Sequence, residues 1–165
     1  MLRRFAFLLG ALAAVAAPPA AFGQTSAGDG LPVPRYVSLR SEEVNVRTGP
    51  GVRYPVEWVF QRRNMPVEVV EQFEHWRKIR DIEGSEGWVH QSMLSGKRFA
   101  IVTGEVRSLR RRPDPASPEV ARLEPGVIAQ LIECEGRFCR LEAGGIKGWL
   151  SRAEFWGVYP NEQIK

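Results

Sequence analysis

The sequence predicts an all-β protein of two tandem small β-barrels behind an N-terminal export signal, and three observations lead there. The first is an internal repeat. "NVR" (Asn45 to Arg47) returns 63 positions later as "SLR" (Ser108 to Arg110), "NMPVEVVEQFEHWRKI" (Asn64 to Ile79) returns 62 later as "GVIAQLIECEGRFCRL", and "GWVH" (Gly87 to His90) returns 61 later as "GWLS". The spacing shrinks by one residue twice, each time in a stretch that reads as a loop, so the chain holds two copies of one supersecondary unit. The second observation is a hydrophobic period of two with no sustained helical period after residue 24. The third is punctuation by glycine and proline between the alternating runs, as at Gly49-Pro50-Gly51, Glu83 to Glu86 and Ala143 to Gly145.

Residues 1–23 carry Arg3 and Arg4, an apolar run from Phe5 to Ala17 and a small-residue exit at Ala21 to Gly23. That is the pattern of a secretory signal peptide cut before Gln24, and the run is too short to span a membrane. No cysteine near the cut points to a lipid anchor. The expected location is therefore outside the cytoplasm, in a periplasm or beyond. The full chain has 23 basic and 19 acidic residues; without the signal, 21 face 19, a net +2. Neither that charge nor an exported location suits a nucleic-acid partner.

Residues 24–36 read as a flexible N-terminal segment, 37–97 as the first barrel and 98–165 as the second. In the first, Val44 and Val46 alternate with Asn45 and Arg47 in a half-buried strand. Pro50-Gly51 suits the centre of a type II turn, with glycine taking the positive φ. Pro66 to Phe73 alternates through Val67 and Val69, Trp76 to Ile82 follows with a slip in period, and Gly87 to His90 is a short apolar strand. Gln91 to Leu94 makes at most one helical turn. Five strands per unit fit a small barrel. Only Ser95 to Arg98 separates the first unit from the strand Phe99 to Val102, too short for a flexible tether, so the two units should pack as one body.

"VNVRTGPG", then "RRNMPVEVVEQFEHWRKI", then "EGWVHQSML" resembles the bacterial Src-homology-3-like domains of secreted and envelope proteins. The second copy is a more distant match, with Arg111 to Asp114 where the first has Thr48 to Gly51. The resemblance implies that Thr48 to about Arg63 forms one wall of a ligand groove and Gln72 to His75 the other. Trp76 falls where eukaryotic relatives carry a ligand-contacting tryptophan. Relatives that bind polyproline place a proline and a tyrosine after the Gly-aromatic-aliphatic strand, whereas this chain has His90 and then Met93-Leu94, so a polyproline ligand is not implied. The candidate ligand-binding residues are Tyr54, Trp58, Arg62, Arg63 and Trp76, the arginines supplying charge for a carboxylate-bearing ligand. The counterparts in copy two, Ser117, Ala121 and Phe138, are less apt for contact, which points to the first unit. Trp88 and Trp149, inside short apolar strands, read as core or barrel-edge residues, and Arg110 to Arg112 as a solvated loop.

Catalytic patterns are absent from the sequence. The only cysteines, Cys134 and Cys139, face each other across a predicted two-residue turn at Gly136-Arg137 and suit a disulfide in an oxidising compartment. Two histidines, His75 and His90, with no acidic residues at ligand spacing, do not make a metal site. No phosphate loop, dinucleotide fingerprint or nucleophile elbow occurs, and no cofactor is implied. The expectation is a non-catalytic module that binds cell-wall peptide or glycan, or an extended peptide. The alternative is an envelope adaptor that meets another protein through Phe155 to Tyr159.

Overall fold

The computed structural model describes residues 29–165; the expected signal peptide lies outside the described residues. The first unit contains β1 (Arg35–Leu39), β2 (Val44–Arg47), β3 (Val56–Phe60), β4 (Pro66–Phe73), β5 (Trp76–Arg80), β6 (Glu86–His90), a 3-10 turn at Gln91–Met93 and β7 (Leu94–Ser95). The second repeats this order as β8 (Phe99–Val102), β9 (Arg107–Arg110), β10 (Glu119–Leu123), β11 (Ile128–Glu135), β12 (Phe138–Ala143), β13 (Ile146–Ser151), a 3-10 turn at Arg152–Glu154 and β14 (Phe155–Trp156). Each unit is one antiparallel sheet, in the order β3-β2-β6-β5-β4-β1-β7 and β10-β9-β13-β12-β11-β8-β14. The expected five-stranded closed barrel is thus a seven-stranded ladder that stays open. Its last pairing, β1 with β7, spans only Ser38 with Ser95 and Leu39 with Leu94, and β3 forms the other edge. Both losses in repeat spacing fall in loops, β3 to β4 against β10 to β11 and β5 to β6 against β12 to β13.

The inward faces of these strands enclose one small core per unit. Leu39, Val44, Val46, Val67, Val69, Ile79 and Val89 line the first, and Val102, Leu109, Ala129, Leu131, Cys139, Leu141 and Leu150 the second. The repeated Gly-Trp pair is explained by packing. A Cβ on Gly87 would lie 2.3 Å from Val46 Cγ1, and one on Gly148 2.5 Å from Leu109 Cγ. Glycine faces the core because no side chain fits there, and the tryptophan beside it faces outward.

The long hairpins β4–β5 and β11–β12 each carry a bulge, between Val69 and Glu71 and between Leu131 and Glu133. The extra residue reverses which positions point inward. In the second unit this turns Cys134 toward Cys139, and the two are disulfide-bonded with Cα atoms 4.0 Å apart. The Cys134 N–H donates away from the hairpin, to Ile164 O at 3.0 Å, which marks a non-hydrogen-bonded pair where side chains lie closest. Gly136 opens the turn with φ 52°, as a two-residue hairpin of this twist requires. At the same two positions the first unit has Gln72 opposite Arg77, and Arg77 is only 1% exposed.

The units meet in an aromatic seam. Tyr36 packs edge-on against Trp156, with centroids 4.9 Å apart, and tilted against Tyr159 at 4.7 Å. The Tyr159 hydroxyl donates to Glu68 at 2.7 Å, and Arg62 Nη2 donates to Gly126 O at 2.6 Å. Gly157, at φ 126°, lets the chain pass Phe99, since a Cβ there would meet its carbonyl oxygen at 2.6 Å. Of the segment Phe155 to Tyr159, which the alternative reading offered to another protein, Trp156 and Tyr159 make this intramolecular contact and Phe155 packs in the second core. Residues 29–34, the described part of the segment ahead of β1, contact the first unit: Gln72 Nε2 donates to Leu31 O at 2.8 Å and Arg35 pairs with Asp29 at 3.0 Å.

Reduction of the Cys134–Cys139 bond opens a short loop and should lower stability by about 2 kcal/mol. Urea unfolding with and without reductant measures it, and identical midpoints would show that the bond contributes nothing. The seam is testable through its phenols. Burial, then the nearby Glu68 charge, pushes the Tyr36 pKa from 10.0 up to about 12 against the opposing pull of Arg98. Burial and the hydrogen bond to Glu68 raise Tyr159 as well. A phenol with a raised folded-state pKa contributes stability that is complete below pH 10 and lost as the pH climbs toward 12. Unfolding midpoints should fall through that window while absorbance at 295 nm reports phenolate, and Tyr36→Phe should flatten the fall.

Candidate ligand-binding site

The long loop after β2 is shaped by its own side chains. The Arg47 guanidinium donates to the carbonyls of Val52 at 3.2 Å and Tyr54 at 2.7 Å, and the Thr48 N–H to Pro55 O at 3.1 Å. Gly51 does not adopt a positive φ, so the expected type II turn is absent. Its N–H instead reaches back to Gly49 O at 3.0 Å, and Tyr54 N–H reaches Gly51 O at 3.2 Å. Glycine is required at 49 for space: a Cβ would lie 2.5 Å from the Tyr54 ring. Tyr54 is therefore the anchor of its own loop, with Arg53 stacked over it at 5.3 Å. The second unit builds the same loop differently. Arg110 donates to Ser117 O at 2.9 Å, and the buried Ser117 hydroxyl accepts from Arg112 N–H at 3.0 Å in place of the tyrosine ring.

The opposite wall is the turn at Glu74-His75. Glu74 holds φ 48°, where the second unit has Gly136. Buried Arg77 fixes this turn from below, donating to the carbonyls of Glu74 at 2.8 Å and Trp76 at 2.9 Å. Between the walls lies the outer face of β5 and β6, where Trp76 sits opposite His90, Lys78 opposite Trp88 and Arg47 beside Trp88. Trp76 meets His90 edge-on at 5.5 Å, His75 lies 6.2 Å from His90, and the two imidazoles are steadied by Gln91 and Ser92.

The five candidate residues do not form one surface. Trp76, half-buried, is on the outer face, and Tyr54 is in the loop above it. Trp58 pairs with Val46, which is fully buried, and packs on the core above Gly87. Its alternation was broken by a register shift between Val46 and Arg47. Arg62 is committed to the second unit through Gly126, and Arg63 is exposed beside it on the β3–β4 connection. His90 completes the outer face, and its strand parity with Trp76 across β5 and β6 was the available signal for it. Trp88 shares that parity but is buried, as its place in a short apolar strand implied.

The same face of the second unit is a recess of about 260 Å³ lined by Arg110, Pro115, Phe138, Trp149 and Ser151 among others. At Arg137 and Ser151 it borders a larger cavity of about 520 Å³ between the hairpin tip and Val158 to Gln163.

Residues 40–96 and 104–157 each match the family model of the bacterial SH3 domain, and the chain belongs to that family, with two copies in tandem. No curated protein matches it. Among solved structures it is similar to NlpC2 and NlpC1 from Trichomonas vaginalis, at 10% and 12% identity and TM-scores of 0.36 and 0.35. These matches cover 79% and 81% of this chain but 50% and 49% of theirs, so the chain spans about half their length.

The positive φ at Glu74 stores strain beside Trp76. Replacing Glu74 with glycine relieves the Cβ clash, offset in part by the greater entropy of the unfolded glycine chain, so Glu74→Gly should stabilise by about 0.5 kcal/mol. Urea midpoints test this, and a loss of stability would show that the Glu74 side chain itself supports the turn.

Proposed function

We propose that the protein is a non-catalytic, exported binding module that recognises cell-wall peptide or glycan. One observation carries this reading: the same place in both repeats, between the long loop and the hairpin tip, presents half-buried aromatic side chains, Trp76 in one, with the buried Trp88 beside it on the same face, and Phe138 and Trp149 in the other. Flat rings backed by a rigid sheet stack on sugars or cover a peptide at small entropic cost. Lys78 pairs with Glu86 at 3.2 Å and Arg47 holds the Val52 and Tyr54 carbonyls, so this face offers its rings rather than free charge. Domains of this family are typically cell-wall binding modules, which supports the ligand class. Among the described residues no helix is long and apolar enough to cross a membrane. The signal pattern in residues 1–23 supports export.

Sedimentation with purified peptidoglycan tests the proposal. The parent should pellet, and Trp76→Ala should lose at least tenfold in affinity at an unchanged melting temperature. Loss with Phe138→Ala instead would move the contact to the second unit. A parent that stays in the supernatant would overturn the reading.

A further inference from the structure

Arg77 is a costly residue to bury, and the fold does not require it, because the second unit fills the same position with Cys139. It enters from β5 on the core side, the face opposite Trp76. Nη2 donates to Gln91 Oε1 at 2.8 Å, while Nε has no partner among the described residues. A carboxylate completes the site: Asp29 accepts from Arg35 Nη2 at 3.0 Å and lies 3.4 Å from Arg77 Nη2. Arg35 Nε and Gln72 Oε1 are also buried without partners among the described residues. Beside them lies a cavity of about 130 Å³ lined by Asp29, Leu31, Arg35, Arg77 and Gln91 among others. That is the volume of roughly four waters, enough for a group the size of acetate.

The second unit repeats the arrangement with the other end of the chain. Arg98, the counterpart of Arg35, grips the carboxylate of Glu162 through both terminal nitrogens. Arg152, the counterpart of Gln91, donates to the carbonyls of Tyr159 at 2.9 Å and Glu162 at 2.8 Å. The Cys134 backbone N–H donates to Ile164 O, where at the counterpart position the Gln72 side-chain amide donates to Leu31 O. In both units, then, a flanking segment outside the ladder reaches the same pair of positions and sets one carboxylate on the same arginine. Partial burial alone would raise the carboxyl pKa values of Asp29 and Glu162, yet both lie below their ordinary values because the arginines and a backbone N–H outweigh it.

We propose that this end of the first unit is a binding site for a carboxylate-bearing peptide, and that Asp29 occupies it as a tethered, displaceable stand-in. Among the described residues, two guanidiniums facing one carboxylate leave an excess positive charge, and the adjoining cavity leaves room for a larger group than aspartate. A tethered occupant acts at an effective concentration near millimolar, so an incoming ligand binds the parent more weakly than a chain lacking the tethered carboxylate. The site is separate from the Trp76 face and does not rest on cell-wall recognition.

The test is an NMR titration of the full chain and its Asp29→Ala variant. The probes are N-acetylalanine, which carries a terminal carboxylate, N-acetylaspartate amide, which carries one on its side chain, and the neutral N-acetylalanine amide. Arg35 and Arg77 Nε–H cross-peaks and the Gln91 side-chain amide should shift saturably in Asp29→Ala with one or both carboxylates, which also names the source. The neutral probe should leave them in place, and the parent should need at least tenfold more ligand. Adding Arg35→Met to Asp29→Ala should abolish the response while amide dispersion is retained. Equal responses from variant and parent, or from neutral and charged probes, would overturn the proposal.

Discussion

The rest of each unit depends on holding one long hairpin closed around a very small core. Units of roughly 60 residues bury too little apolar surface to be secure by packing alone, and β4–β5 and β11–β12 carry the wall of the ligand face at their tips. The chain secures the same pair of positions by two chemistries. Cys134 and Cys139 are joined covalently, whereas Arg77, opposite Gln72, ties the tip through the carbonyls of Glu74 and Trp76. The disulfide acts mainly by restricting the unfolded chain. The arginine acts in the folded state, and its worth depends on keeping every one of its hydrogen bonds and its counter-ion.

That difference propagates to the segments around each hairpin. A disulfide needs no partner from elsewhere, so the second unit can give its C-terminal segment to the seam, where Trp156 and Tyr159 clasp Tyr36 and Arg98 gathers Glu162 and the Gly157 carbonyl. A buried guanidinium does need a partner, and the first unit finds it in Asp29, ahead of β1. The segments 29–34 and 158–164 thus each meet an arginine at the start of a unit's first strand. Packing joins the charge pairing, through Val33 on the first core and Val158 and Ile164 on the second.

Much of this was legible in the sequence because repeats and turns are local. The spacings of 63, 62 and 61 located the equivalent strands, and Gly136 between two cysteines located a hairpin whose turn requires φ above zero. What failed was parity across bulges. Trp58 read as a loop aromatic, but a register shift beside Val46 and Arg47 turns it onto the core. The bulge after Val69 likewise puts Gln72 and Arg77 on the inner face, where alternation from Val67 would have placed Glu71. Gly51 read as a left-handed turn residue because of its neighbours Pro50 and Gly49. The controlling feature was a side chain three positions later, the Tyr54 ring that excludes a Cβ at 49. Arg62 was assigned to a groove by proximity in sequence, and its partner, the Gly126 carbonyl, lies 64 residues away.

The ladder also decides which side chains can meet a ligand. Trp76, Lys78, Trp88 and His90 share one parity on β5 and β6, so their common face follows from register and is insensitive to loop detail, although Trp88 is buried within it. The loop above them is different in kind in the two units, anchored by a tyrosine ring in one and by a buried serine hydroxyl in the other. Replacing a ring by a hydroxyl removes bulk from the loop, and the second unit has its recess of about 260 Å³ at that face. The sheet therefore supplies a common aromatic floor while each loop sets the depth above it. The two repeats thus share a floor and differ in the depth of what stands on it, a difference that traces to one position, Tyr54 against Ser117.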